Sequence, residues 1–274
     1  MHYSDSDTMC ASLAEEFDDI IVSFSRGKDS IASYIQCKRY FKRVHCFYLY
    51  SPPGLKFVDE SLKYFDEQFG AHIIQLPHPS FYGFLNDGLM QTWSRWQVSR
   101  DMPMPKIDYL DIYRVVREDL RLPSNTPVGT GVRMNDSPTR RTAIKTWGAR
   151  NVEKGTFFPV FDWNKERLSR EIRVSGLKLP IDYDWFGRSF DGLDERFTRV
   201  IREKAPDDYE VIRQWYPLVA ADHWRMRWRR EYHENKGRTE GGARRGRPFD
   251  EAEARRLCRE AEARHPHQGA ADEG

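Results

Sequence analysis

The chain has 274 residues, 39% of them hydrophobic and 31% charged, and 44 Lys and Arg face 42 Asp and Glu for a net charge of +2. This length allows one or two domains with a real core, and so small a charge does not by itself imply a nucleic-acid partner. No apolar run approaches the ~20 residues that span a membrane, and the acidic stretch before Asp19 is unlike a signal peptide, so a cytoplasmic protein is expected.

Residues 1–18 read as a lead-in with a short helix around Leu13 to Phe17. An apolar run at Ile20-Ile21-Val22 then breaks into Ser23-Phe24-Ser25-Arg26-Gly27-Lys28-Asp29-Ser30. Ile31, Ile35 and Tyr40 follow at helical spacing, which gives strand, loop, helix. Val44 to Tyr50 is a continuous apolar run, as in a strand buried on both faces of a parallel sheet. Ser51-Pro52-Pro53-Gly54 punctuates it, a helix runs from about Phe57 to Phe69, Gly70 stops that helix, and His72 to Leu76 is a third strand. Three strands separated by two helices within about sixty residues mean βαβ crossovers, so an α/β, doubly wound, mainly parallel sheet with helices on both faces is expected. Residues 80–124 mix aromatics with prolines. They read as a packing excursion between strands, with a helix from about Tyr109 to Leu120. Pro127 to Arg133 is another short strand, running through Gly129 into a turn marked by Gly131.

A loop between a strand end and a helix start meets unpaired N–H groups and the positive end of the helix dipole, which favours phosphate. Gly27 permits close backbone approach, Ser25 and Ser30 bring hydroxyls, Lys28 a compact charge, and Asp29 a carboxylate able to hold Mg²⁺ or cap the helix. The competing reading is an ordinary Ser/Gly turn. A second constellation lies at Thr130 to Arg141, where Arg133, Arg140 and Arg141 offer guanidinium groups that match phosphate oxygens. A solvated basic loop paired to Asp136 is the alternative there. Four cysteines, Cys10, Cys37, Cys46 and Cys258, form no C-x-x-C pair, so neither zinc nor an iron–sulfur cluster is expected.

The loop resembles the S-G-G-K-D-S pyrophosphate loop of the N-type ATP pyrophosphatases, with Arg26 where that superfamily most often has glycine. Gly131, Arg133, Asp136, Ser137 and Arg140 are similar to the G-x-R-x-x-E-S-x-x-R motif of its phosphoadenylyl-sulfate (PAPS) reductase-like branch. Phe158 to Trp163 and Leu179 to Asp184 resemble two further landmarks of that branch, and the match covers roughly residues 18–195. The resemblance implies an adenine nucleotide alpha-hydrolase-like fold with ATP and Mg²⁺ as cofactors. It implies a nucleotide site at Ser23, Ser25, Arg26, Gly27, Lys28, Asp29, Ser30, Leu49, Tyr50, Gly129, Gly131, Arg133 and Arg141. Lys28, Asp29, Arg133 and Arg140 take the catalytic roles, Asp29 also holds the metal, and Leu49 and Tyr50 bracket adenine. Where many relatives carry cysteines, Trp185 to Gly192 has none, which disfavours reduction through a cysteine nucleophile. Lys28-Asp29-Ser30 matches the ATP-using relatives better. The expected reaction is cleavage of ATP between its α- and β-phosphates, adenylylating an unknown acceptor, with sulfur transfer or nucleic-acid modification as settings. A thioredoxin-dependent PAPS reductase and a non-catalytic nucleotide-binding module are the alternatives.

The C-terminal stretch brings a helix from Asp207, as a possible N-cap, to Trp215. From Arg225 to Asp250, nine basic residues stand against four acidic ones. Interleaved with Trp224 and Trp228, they suggest a nucleic-acid contact through residues 225–250. The domain reading is 1–18 lead-in, 19–200 nucleotide-binding domain, 201–235 helical extension and 236–274 charged tail. Self-association into a homodimer stays open.

Overall fold

In the computed structural model, which describes residues 2–239 and Arg256, the apolar run after Asp18 forms β1 (Asp19–Ser23), with its three central residues buried. α2 (Lys28–Tyr40) follows at once, then β2 (Arg43–Tyr50), α3 (Lys56–Phe69) and β3 (Ile74–Pro77). Gly70 ends α3 in the left-handed region at φ 64°, where glycine carries no Cβ penalty. β3 begins two residues later than the sequence pattern suggests. α1 (Ser6–Glu16) precedes β1, longer than expected because Asp5 caps it by accepting from the Thr8 amide. It is an integral layer rather than a lead-in: the Trp163 indole donates to Ser6 Oγ at 3.0 Å, and Asp7 accepts from Gln36, Tyr40 and Arg167.

The chain divides into two units. The first, residues up to Pro79 together with Lys106–Phe190, holds the sheet. After β3 it resumes with α6 (Tyr109–Asp119) and continues through β4 (Val128–Gly129), α7 (Pro138–Trp147), β5 (Arg150–Asn151), β6 (Thr156–Phe157), α8 (Lys165–Ser175) and α9 (Asp182–Phe186). Strand order is β3-β2-β1-β4-β6-β5, parallel except for the β5–β6 pair. This is the expected α/β sheet with helices. Asp108 starts α6 with a capping box shared with Asp111. Ile112, Tyr113 and Val116 of α6 pack on Ile21, Phe47 and Val128, a strip taken from three neighbouring strands. Each such fully buried side chain contributes about 1.5–3 kcal/mol. By strand alternation Ile20 and Val22 face the opposite layer, that of α2.

From β1 the chain winds outward through β2 and β3, then returns to β4 on the other side of β1. The order therefore reverses between β1 and β4, and a doubly wound sheet binds ligands beyond the carboxyl ends of its strands at such a reversal.

The second unit joins residues 80–105 to the chain from Asp191 onward. It contains α4 (Pro79–Asn86), α5 (Trp93–Asp101), α10 (Glu195–Lys204), α11 (Pro206–Trp215) and α12 (Val219–Thr239). The excursion at 80–105 thus packs with a distant part of the chain rather than between strands. Phe81 meets Trp215 edge to face at 5.1 Å, and the Leu218 amide donates to the Met90 carbonyl at 2.9 Å. α11 is capped by Ala205 with Pro206 as its first residue, so Asp207 lies second in the first turn and is not the N-cap. Among the described residues no helix is long and apolar enough to cross a membrane.

Candidate functional site

The loop after β1 and the turn after β4 meet because their strands pair in parallel, Ile21 with Val128 and Val22 with Gly129. Ser23 ends β1, Gly27 caps α2 with its backbone, and Lys28 is the first helical residue. Ser30 Oγ donates to the Gly27 carbonyl at 2.9 Å and lies 3.2 Å from Ser25 Oγ, so the two hydroxyls brace the bend. Among the described residues the amides of Gly27, Asp29 and Ser30 hold no hydrogen bond. Unpaired donors at a helix start are an anion site in waiting.

Arg133 reaches this loop from the β4 side with its side chain 4% exposed. Its Nη2 lies 2.9 Å from Asp136 Oδ1, its Nη1 donates to the Trp163 carbonyl at 3.3 Å, and its Nε lies 2.8 Å from Asp29 Oδ1. This last contact is an ion pair by distance only. The N–H does not point at the oxygen, so Arg133 Nε and Asp29 Oδ1 both stay without an aligned hydrogen-bond partner. Burial raises the Asp29 carboxyl above its usual range, and Arg133 and Lys28 offset that only in part. Gly131 keeps this approach close: a Cβ would come 3.0 Å from the Asp29 backbone carbon and press the loop away. At Gly129 a Cβ would press on Pro159 at 2.9 Å.

The three arginines do not form one clamp. Ser137 caps α7 and Pro138 opens it, so Arg140 and Arg141 project from an exposed helical turn. Arg140 reaches back to Asp136 at 2.9 Å and Arg141 to Asn135 at 3.2 Å. The acid of the motif thus links Arg140 to Arg133, and Arg133 to the loop. Of the expected adenine bracket, Leu49 packs against the core strip beneath α6, and the Tyr50 carbonyl accepts from the His78 amide.

Arg26 departs most from expectation. Its guanidinium turns inward, fully buried, and makes a bidentate pair with Asp182 at 3.2 and 3.0 Å. Its Cζ lies 5.4 Å from the Tyr48 ring centre and 5.9 Å from that of Phe57. The side chain is therefore an anchor and not a phosphate ligand. The backbone at Arg26 has φ 61°, the region glycine favours, which accounts for the glycine of the resembled motif. Asp182 also accepts from the Phe190 amide at 2.9 Å.

Sequence reasoning missed what this anchor brings with it. The Tyr183 hydroxyl accepts from the Lys28 amide at 2.9 Å, and a Cβ on Gly27 would come within 3.1 Å of Ser189 Oγ. The 182–190 segment therefore crosses the first turn of α2, and burial raises the Tyr183 phenol. The stretch was visible as a landmark of the resembled branch, but nothing in its composition tells which loop it covers.

Asp29 shares the Arg133 guanidinium with Asp136, so the charge a metal would need is already taken up by an arginine, a poor fit for Mg²⁺, and among the described residues no group of three metal-ligating side chains gathers. Cys10, Cys37 and Cys46 are buried and free, and burial pushes all three thiols up, Cys10 to about 12, so they are protonated at neutral pH. Cys258 lies outside the described residues, as does the part of the basic segment from 240 to 250. Within α12, Arg225, Arg227, Trp228 and Arg229 are exposed, and the Trp228 ring stacks on Tyr232 at 5.4 Å.

No protein-family model matches the chain, and no curated protein matches it. Among solved structures it is similar to the U34-tRNA thiolase NcsA of Methanococcus maripaludis, determined with its [4Fe-4S] cluster: 13% identity, TM-score 0.40, covering 78% of this chain and 79% of that one. It is also similar to a predicted tRNA methyltransferase subunit of Methanocaldococcus jannaschii, with 17% identity, TM-score 0.32, and coverage of 70% and 93%. Likenesses this loose carry no argument about activity. They do correct one expectation. Excluding an iron–sulfur cluster for want of a C-x-x-C pair does not stand beside a similar structure that holds one.

Proposed function

We propose that the chain binds ATP at the β1–α2 loop and cleaves it between the α- and β-phosphates, transferring the adenylyl group to an acceptor. One observation carries this reading. At the point where the strand order reverses, unpaired amides of the α2 start lie beside Arg133, a buried guanidinium held by Asp29 and Asp136. Unpaired N–H groups at a helix start, with a guanidinium next to them, favour a phosphate oxygen.

In the proposed reaction the acceptor oxygen attacks the α-phosphorus, the α–β bridging bond breaks, and pyrophosphate leaves with the bond's electron pair. Lys28 and the free amides hold the departing phosphates, so the charge that grows there meets preorganised donors. Arg133 adds positive charge beside them, while Asp29, Asp136 and the Trp163 carbonyl fix its plane. Arg140, bound to Asp136, positions that acid rather than touching the nucleotide.

The test incubates the full chain with ATP labelled at the α-phosphate and, in turn, sulfate, an RNA oligonucleotide and a DNA oligonucleotide. Labelled adenylylated product or AMP, with equimolar pyrophosphate, is expected. Release of ADP and inorganic phosphate, or intact ATP with every acceptor, refutes the reading.

A further inference from the structure

The second unit contains a cleft of its own, about 500 Å³, that the proposed reaction does not use. One wall is α5, which presents Arg95, Val98 and Ser99 at i, i+3 and i+4. The other is the end of α11, with Gln214 and Trp215, and Leu85 and Gln91 complete the lining. The walls are tied together by side chains that satisfy the last carbonyls of α11. Arg95 Nη1 donates to the Gln214 carbonyl at 2.7 Å, and the buried Gln91 donates from Nε2 to the Trp215 carbonyl at 2.8 Å.

After those bonds a set of polar groups is left over. Among the described residues, the other N–H groups of Arg95, the Ser99 hydroxyl and the Gln214 amide meet no partner, and no Asp or Glu lines the cleft. Burial lowers the Arg95 pKa with no carboxylate to oppose it. A part-buried guanidinium without a counter-ion favours an anion, and its planar fork suits phosphate. Leu85, Val98 and the Trp215 indole supply apolar wall, and an amide side chain offers donor and acceptor together to the edge of a heterocycle. The volume falls within the about 300–1,000 Å³ of small-ligand sites.

We propose that this cleft binds a nucleoside phosphate, its phosphate on Arg95 and Ser99 and its base against Trp215 and Gln214. The site is independent of the ATP reading, because none of its residues belongs to the loop after β1. The same chemistry is offered by a free mononucleotide and by one residue of a nucleic-acid strand.

The test photo-crosslinks the full chain with 8-azido-AMP and maps the labelled peptides. Label is expected in peptides covering 85–101 or 206–217. It should fall about tenfold in Arg95→Gln and persist in Lys28→Ala, which removes only the charge at the other site. Should Arg95→Gln fail to fold, as judged by its melting curve, Ser99→Ala with Gln214→Ala should still lower the label severalfold. Competition by AMP alone identifies the free nucleotide as ligand, and stronger competition by a short oligonucleotide identifies the strand; either supports the site. Label confined to residues 23–30, equal labelling of a folded Arg95→Gln, or displacement by benzoate as effective as by AMP overturns it.

Discussion

Replacing Asp182 with asparagine leaves the Arg26 guanidinium buried without its counter-charge, while the amide oxygen still receives the Phe190 N–H. Removing one partner of a buried ion pair costs about 3–5 kcal/mol, far more than the net worth of the intact pair. Arg26→Gly strands the other charge but also relieves the left-handed backbone at φ 61°, a gain of about 1–2 kcal/mol, so its net loss is smaller, about 2–3 kcal/mol. The double change removes both charges and the strain, and its stability should return to within about 1 kcal/mol of the parent. Urea unfolding of the four proteins, compared at constant m, gives the coupling directly. A coupling of about 3 kcal/mol or more is expected; additivity within about 0.5 kcal/mol would show that the pair does not hold the loop.

Gly131→Val drives a Cβ against the Asp29 backbone at 3.0 Å and should abolish ATP binding in equilibrium dialysis with the melting temperature lowered only a few degrees; unchanged binding places the nucleotide elsewhere. Tyr183→Phe frees the Lys28 amide, so pyrophosphate should bind severalfold more tightly in a calorimetric titration; weaker binding would make the hydroxyl a ligand contact instead. The hydrogen bonds from Arg43 hold the Asp19 carboxyl down to about 2, below the usual carboxylate range. The stability it contributes is complete above pH about 4 and is lost as pH falls toward 2. In Asp19→Asn that acid-dependent loss should shrink, as followed by circular dichroism. Replacing Arg225, Arg227 and Arg229 with glutamine should lower the slope of oligonucleotide affinity against salt by about 2–3 if α12 contacts phosphates; an unchanged slope removes that partner.

The core of the site was legible because it is local. An apolar run, a Ser/Gly/Lys/Asp bend and a helical period follow one another without a break from Ile20 to Tyr40, and Gly131 and Arg133 sit at the next strand end of the central pair. What escaped depends on distance. Arg26 and Asp182 lie 156 positions apart, and no pattern in either neighbourhood announces the pair. The arginine trio misled for a different reason: Ser137-Pro138 is a readable helix start, and a helix beginning there turns Arg140 and Arg141 away from the strand end that Arg133 follows. β5 and β6, two residues each, are too short to show any period.

The second unit is assembled from two stretches that the sheet interrupts, and this bears on how the protein can be shortened. A polypeptide stopped at Phe190 would keep residues 80–105 yet lose α11, and with it the ring that covers Phe81 and the carbonyls that receive Gln91 and Arg95. Phe81, now 4% exposed, would meet water beside Leu85, leaving a sticky aromatic stub on the surface. Any minimal version therefore needs an internal deletion of 80–105, bridged by a short linker, as well as the C-terminal cut. A single cut should give aggregating material even though it leaves every strand in place.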